Sequence, residues 1–228
     1  MKLVRFSVAG GRILPGALVE EAALVVDLTS AGYVDALAAI TAGLTWIDEP
    51  GAYRSHKLSD VRLHAPLANP PRILGIGLNY RDHAAEAKMA LPSAPVVFFK
   101  MSTAIIGPGD SIKLPKNSTE PDYEAELAVV IGKGGYRIPA SAWHDHVYGY
   151  TIVNDVSARD VQRATSQWSL AKSYPTFCPM GPAIVPVGQI ADPHTLAISL
   201  SIDGEVLQNS NTRELIFKIP ELIEYISS

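Results

Sequence analysis

The stretch DYEAELAVVIGK, residues 122–133, decides the fold. Its two glutamates, Glu124 and Glu126, are followed by an apolar run that ends at Ile131. Alternate side chains of a β-strand share one face, so a strand places both glutamates on the same face. From residue 125 onward both faces are mostly apolar, which is typical of a strand covered on both sides. The pattern therefore predicts a strand over 123–131 that carries two carboxylates on one buried face.

Two buried carboxylates on one face need compensation. Burying an unpaired carboxylate costs several kcal/mol, and two close together repel each other. A divalent cation such as Mg²⁺ or Ca²⁺ relieves both costs, because hard cations prefer oxygen ligands. Asp155 ends a second predicted strand, over 147–153, and either caps the helix that follows or supplies a third ligand. Ser157 is the other candidate cap, and a solvated edge strand is the alternative for Glu124 and Glu126.

Three further side chains are candidates for chemistry. In a predicted helix over 81–89, His83 and Glu86 are spaced i, i+3 and lie on one face. A carboxylate beside an imidazole raises its basicity, as a general base requires, although a surface His–Glu pair has the same spacing. Lys172 either binds a substrate carboxylate or an enolate, or is a solvated surface lysine. Cys178 has no base near it in the sequence and is interpreted as a packed thiol.

Composition narrows the class of protein. The formal charge of the 228 residues is −4, so no basic excess favours nucleic acid as a partner. No apolar run approaches the roughly 18 residues that a membrane helix needs. The single cysteine makes no intrachain disulfide, which favours a reducing compartment and predicts a cytoplasmic protein.

The distribution of proline and glycine indicates the organisation of the chain. Seventeen of each are too many for a helical bundle and typical of short strands joined by turns. Prolines cluster in HAPLANPPR, and this predicts a boundary between a small N-terminal domain, residues 1–68, and a second domain, residues 69–228. Strands dominate without regular βαβ alternation, so the predicted fold class is α+β, mainly β.

Six segments together resemble the fumarylacetoacetate hydrolase family, in particular its short, acylpyruvase-like branch. They are GLNYRDHAAE, MSTAIIGPGD, DYEAELAVVIGK, VNDVSARDVQ, LAKSYPTFCPMGP and DGEVLQNSNT, and they occur in the family's order and spacing between about residues 73 and 212. Residues 1–65 match only loosely, as the small N-terminal domain of that branch. The resemblance implies a mixed β-roll and a homodimer. It also implies a C-terminal segment of the form PGD…TGTP-G, which does not follow Ser228 here.

The resemblance also implies roles for individual residues. It places a divalent cation, Mg²⁺ with Mn²⁺ or Ca²⁺ as alternatives, on three carboxylates, and an acid/base pair on a mobile lid. It further implies an active-site lysine and a substrate-binding glutamine. The metal ligands are Glu124, Glu126 and Asp155, the acid/base pair is His83 and Glu86, the lysine is Lys172, and the glutamine is Gln162.

The activity implied by the resemblance is hydrolysis of a C–C bond in a β-diketo acid such as an acylpyruvate or fumarylpyruvate. In that reaction the cation stabilises a pyruvate enolate and His83 activates water. The same site would also suit a β-keto acid decarboxylase, or an isomerase or hydratase of aromatic catabolism. A non-catalytic, metal-stabilised binding protein is the alternative from another class.

Overall fold

An antiparallel sheet of five strands forms the N-terminal part of the chain. The computed structural model describes all 228 residues. The strands are β1 (Lys2–Val8), β2 (Leu14–Val19), β3 (Leu24–Asp27), β4 (Ser55–Lys57) and β5 (Val61–His64), and helix α1 (Ala36–Thr41) lies between β3 and β4. Their order in the sheet is β4-β3-β2-β1-β5, with every neighbouring pair antiparallel.

The rest of the chain is built from short strands, four α-helices and several 3₁₀ turns. In chain order the strands and α-helices are β6 (Ile73–Gly77), α2 (Arg81–Glu86), β7 (Val96–Lys100), β8 (Ile105–Ile106), β9 (Pro121–Asp122), β10 (Ala125–Ile131), β11 (Val147–Asn154), β12 (Ser157–Ala158), α3 (Arg159–Ala164), α4 (Ser169–Lys172), β13 (Cys178–Pro179), β14 (Val185–Pro186), β15 (Ala197–Ile202), β16 (Glu205–Asn211) and α5 (Ile219–Ser227).

Small sheets, rather than one continuous sheet, organise this second part. Strands β10, β11 and β14 form a three-stranded sheet in that order, so β10 lies at an edge. Strands β6 and β7 pair with each other, and β15 and β16 form a hairpin. The fold is therefore mixed α/β with strands predominating, as the sequence predicts. No helix is both long enough and apolar enough to cross a membrane.

One apolar core joins the two parts of the chain. Its largest cluster holds 21 buried residues, among them Leu3 of β1 and Phe177, which are both fully buried. The backbone of Leu3 also pairs with Ile184, through hydrogen bonds of 2.9 and 2.8 Å. The N-terminal sheet therefore packs directly on the strands that carry the carboxylates. Residues before and after position 68 share this core. The domain boundary at residue 68 therefore stays a prediction.

Most predicted elements are present with shifted ends, and the shifts have local causes. The helix predicted over 81–89 ends at Glu86, and Lys88 then takes a left-handed backbone conformation with φ +53°. The strand predicted over 123–131 begins at Ala125. Strand β2 escapes prediction because its sequence, LPGALV, contains Pro15 and Gly16, which local rules assign to turns.

Candidate active site

Pairing between β10 and β11 brings the three predicted carboxylates together. Ala125 is opposite Asn154 in the register, so Glu124 lies across from Asp155, just beyond the paired ends. The Asp155 N–H donates to the Glu124 carbonyl at 2.8 Å, and the Glu124 N–H donates to Asn154 Oδ1 at 3.0 Å. These two hydrogen bonds extend the ladder by one step and fix both carboxylates at the same end of the sheet.

Two lysines and an arginine surround these carboxylates. Lys172, on α4, is 2% exposed, and its Nζ lies 2.8 Å from Glu124 Oε2 and 2.9 Å from Asp155 Oδ2. Lys100, the last residue of β7, is 4% exposed and places Nζ 2.6 Å from Asp155 Oδ1. Arg159 places one Nη 2.6 Å from Glu124 Oε1. Glu124 and Asp155 are therefore paired with two buried lysines and, for Glu124, with a partly buried arginine.

Glu126 is the carboxylate without an ion-pair partner. Burial, together with the nearby negative charges of Glu124 and Asp155, raises the pKa of Glu126 to about 8. Lys172 acts against this shift. Like charges disfavour a second ionised carboxylate unless a cation arrives to compensate. Glu126 is thus protonated at neutral pH in this arrangement, and a cation would favour its ionised form.

The donor set suits a divalent cation. Asp155 Oδ1 is buried and accepts no hydrogen bond, since its 2.6 Å approach to Lys100 is an ion pair without hydrogen-bond alignment. Oxygen atoms of three neighbouring carboxylates are the ligands that hard cations prefer. As the side chains stand, no three of them are arranged as a metal-ligand set. Lysine and arginine groups occupy the oxygens instead, so a cation would exchange with those partners.

The structure decides several alternatives that the sequence leaves open. Asp155 and Ser157 do not cap α3, because its N-cap residue is Ala158 and no side chain bonds there. The Ser157 hydroxyl donates instead to the Asp155 carbonyl and to Glu124. Strand β10 is an edge strand, yet Glu124 is paired with cations rather than with water alone. Lys172 is buried and is not a surface lysine.

Comparison with known proteins assigns the chain to a family. Residues 72–228 match the family model described as the C-terminal domain of fumarylacetoacetate (FAA) hydrolase. This match covers well over half of the chain. The chain belongs to the fumarylacetoacetate hydrolase family.

Curated relatives within the fumarylacetoacetate hydrolase family carry the name oxaloacetate tautomerase. The mitochondrial protein of Xenopus laevis is 47% identical over 171 residues, which cover 74% of this chain and 54% of the relative. A Bacillus subtilis oxaloacetate tautomerase is 46% identical over 184 residues, 79% of this chain and 61% of the relative. The chain thus spans little more than half the length of these curated relatives.

Solved structures of the family match the whole chain. A fumarylacetoacetate hydrolase from psychrophilic Exiguobacterium antarcticum has a TM-score of 0.87 and 33% identity, and the match covers 81% of that chain. A maleylpyruvate hydrolase from Sphingobium sp. SYK-6, solved with manganese(II) and pyruvate, has a TM-score of 0.79 and 28% identity over 83% of its length. The fold of this chain is therefore that of the family.

The acid/base pair predicted on α2 lies at the surface. His83 Nδ1 is 3.9 Å from Glu86 Oε2, and the two side chains are 57% and 86% exposed. Neither side chain bonds to a carboxylate of the cluster. Tyr80, which precedes α2, lies near Glu126; burial of its phenol, and to a smaller extent the negative charge of Glu126, raise the pKa of Tyr80. The start of α2 is therefore close to the cluster, while His83 and Glu86 face solvent.

Gln162 and Arg159 lie side by side on α3. Gln162 is partly buried, and its Oε1 accepts a hydrogen bond of 3.0 Å from Arg159. Arg159 also places Nε 2.8 Å from Asp122 Oδ2. Gln162 thus contacts the cluster through Arg159 rather than directly. Its role in binding substrate stays a prediction.

Sequence reasoning missed Lys100 and Arg159. Lys100 ends the apolar run VVFFK, and a charged residue at an inward position of such a strand is a signal for a buried ion pair. Arg159 is in NDVSARD, whose acidic residues predict metal ligands. The carboxylates with which Arg159 pairs, Asp122 and Glu124, lie in a different segment. The three acidic residues require cations somewhere in the fold, and that requirement was the available signal.

Cys178 provides a test of the packing beside the site. The thiol is fully buried, and burial raises its pKa to about 11. At pH 8 only about one thiol in a thousand is therefore ionised, and reagent has no access to it. We expect the native protein not to react with Ellman's reagent at pH 8, and one thiol to react in denaturant. Rapid reaction of the native protein would contradict the burial of this thiol.

Proposed function

We propose that the protein enolises a small 2-oxo acid with the help of a divalent cation, and that its reaction is the keto–enol tautomerisation of a 2-oxo diacid such as oxaloacetate. The observation that carries this proposal is the buried Lys172 ammonium, shared between Glu124 and Asp155. A buried cation beside carboxylate ligands suits a reaction in which negative charge develops on a substrate oxygen. The names of the curated relatives point to the same reaction class.

The charge of the cluster supports an anionic substrate. When fully ionised, four carboxylates (Asp122, Glu124, Glu126 and Asp155) face the cationic groups of Lys100, Lys172 and Arg159. This leaves one excess negative charge, which a bound divalent cation converts into one excess positive charge. The cation therefore makes the site attractive to a carboxylate ligand.

Each residue of the cluster then has a defined task. Glu124, Glu126 and Asp155 would hold the cation, Mg²⁺ or Mn²⁺, which acts as a Lewis acid toward a 2-oxo acid. The Lys172 ammonium stabilises negative charge on the substrate oxygen as the enolate forms, and burial strengthens that interaction. His83, with Glu86 beside it, is the proposed acid/base group that exchanges the substrate's carbon-bound proton with solvent. Gln162, beside Arg159 on α3, is the proposed substrate-binding amide.

Hydrolysis of a C–C bond is the second candidate function. It is favoured by the likeness of the whole chain to the maleylpyruvate hydrolase structure, which was solved with manganese(II) and pyruvate. Hydrolysis needs the same stabilised enolate and, in addition, a water molecule that His83 deprotonates. The two reactions differ in their products, because only hydrolysis of an acylpyruvate releases pyruvate.

The experiment that tests the proposed reaction uses Lys172. Purified protein with Mg²⁺ or Mn²⁺ is expected to accelerate loss of the enol absorbance of oxaloacetate, and EDTA is expected to abolish the acceleration. Lys172→Met is expected to lower kcat by about 10²–10³-fold, because a preorganised charge is lost from the enolate. Lys116→Met, at an exposed position, is the control. Pyruvate release from an acylpyruvate panel, without oxaloacetate turnover, would replace tautomerisation by hydrolysis.

A second variant tests the acid/base pair. His83→Ala is expected to lower kcat by about 10²–10⁴-fold, as removal of a general base does. His144→Ala, which removes another exposed histidine, is expected to leave kcat unchanged. Turnover of His83→Ala at the wild-type rate, measured in the same absorbance assay, would show that His83 is a surface residue without a catalytic task.

We propose a homodimer as the working form. Strand β7 turns Val97 and Phe99 outward, 38% and 49% exposed, and Met101 continues the same alternation at 50%. An apolar row of this kind on a strand face is typical of a surface covered by another subunit. Light scattering on the purified chain is expected to give twice the mass of one chain. A monomeric mass at micromolar concentration would contradict the dimer.

A further inference from the structure

The segment DGEVLQNSNT belongs to the family resemblance, yet none of its residues has a task in the proposed reaction. It forms the turn and second strand of the β15–β16 hairpin. Residues 201–207 and 209 are all exposed, and Gln208 between them is partly buried. A half-buried amide in an otherwise solvated strand needs hydrogen-bond partners, and these partners lead to the carboxylate cluster.

Gln208 bonds both backbone groups of Ala125. The Ala125 N–H donates to Gln208 Oε1 at 2.8 Å, and Gln208 Nε2 donates to the Ala125 carbonyl at 2.8 Å. Ala125 lies between Glu124 and Glu126 in the sequence and is buried. Ala125 is opposite Asn154 of β11, but its N–H and carbonyl point to the open edge of β10, where no other strand pairs with them. The side-chain amide thus takes the place of the missing strand's peptide group.

From this geometry we infer that Gln208 is a positioning residue, which fixes the backbone that carries Glu124 and Glu126. The inference rests on the metal-binding part of the proposed function. The end of β10 has a strand neighbour on one side only, so on its open side the backbone between the two glutamates is held by side chains. Gln208 supplies two hydrogen bonds on that side. A side-chain amide supplies a donor and an acceptor side by side without a charge, as this contact requires.

The same face of β16 also holds the helix of the acid/base pair. Gln208 and Ser210 are two residues apart in β16, so their side chains share one face about 7 Å apart. The Ser210 hydroxyl donates to the Asp82 carboxylate, next to His83 on α2. The hairpin therefore contacts both α2, through Ser210, and the start of β10, through Gln208.

The experiment compares three variants of the full chain. Gln208→Met removes both hydrogen bonds at similar volume, and Gln208→Asn keeps the amide but is about 1.5 Å too short. Asn209→Met, at the exposed neighbouring position, is the control. Amide hydrogen exchange measured by NMR reports the Ala125 N–H directly. Calorimetric titration with Mn²⁺ reports the carboxylates, and neither readout depends on turnover.

We expect Gln208→Met to lose exchange protection at Ala125 and to bind Mn²⁺ about 10–100-fold more weakly, as loss of a residue that orients ligands does. Gln208→Asn is expected to change both readouts in the same direction, and it takes the place of Gln208→Met if the latter does not fold. Asn209→Met is expected to match the wild type. Wild-type Mn²⁺ affinity in a Gln208 variant that has lost Ala125 protection would overturn the inference.

The outcomes separate this inference from the proposed reaction. The Gln208 variants can bind Mn²⁺ more weakly than the wild type even if the wild type does not turn over oxaloacetate. That combination supports the inference and rejects the tautomerase. Failure of the wild-type chain to bind Mn²⁺ would overturn the inference together with the metal site. Unchanged protection at Ala125 in Gln208→Met would overturn the geometry on which the inference is built.

Discussion

The ammonium group of Lys172, buried between Glu124 Oε2 and Asp155 Oδ2, is the interaction on which the site depends. A buried carboxylate pair is costly unless cations compensate it, and a buried lysine is costly unless carboxylates do. Neither half of the cluster is therefore stable alone. Strands β10 and β11 bring the acidic half, and α4 with β7 brings the basic half. The fold around the site keeps these two halves in contact.

Lys100 connects the charge cluster to the backbone around it. Lys100 donates hydrogen bonds to the carbonyls of Lys172 and Val156 while it pairs with Asp155. One side chain thereby ties together β7, α4 and the segment after β11. The Val156 and Lys172 carbonyls thus find a hydrogen-bond donor in a charged side chain.

The sequence predicted that the three carboxylates lie together but missed Lys100 and Arg159, two of their three cationic partners, for a physical reason. Alternation along DYEAELAVVIGK places Glu124 and Glu126 on one face without any knowledge of the fold. Lys100 and Arg159 meet those carboxylates only through long-range packing, and no local pattern reveals their pairing. The strand at residues 14–19 was missed for a related reason, since pairing with two neighbours outweighs the presence of Pro15 and Gly16.

The packing of Leu3 against the core has a consequence for how the chain can be divided. Because β1 pairs with Ile184 and its side chains enter the same cluster as Phe177, the N-terminal sheet covers part of the core beneath the carboxylate cluster. A fragment starting near residue 69 would expose to water the apolar core residues that the N-terminal sheet covers, and it would be prone to aggregate. A replacement for this sheet would therefore need a strand that presents a matching apolar face to the same core.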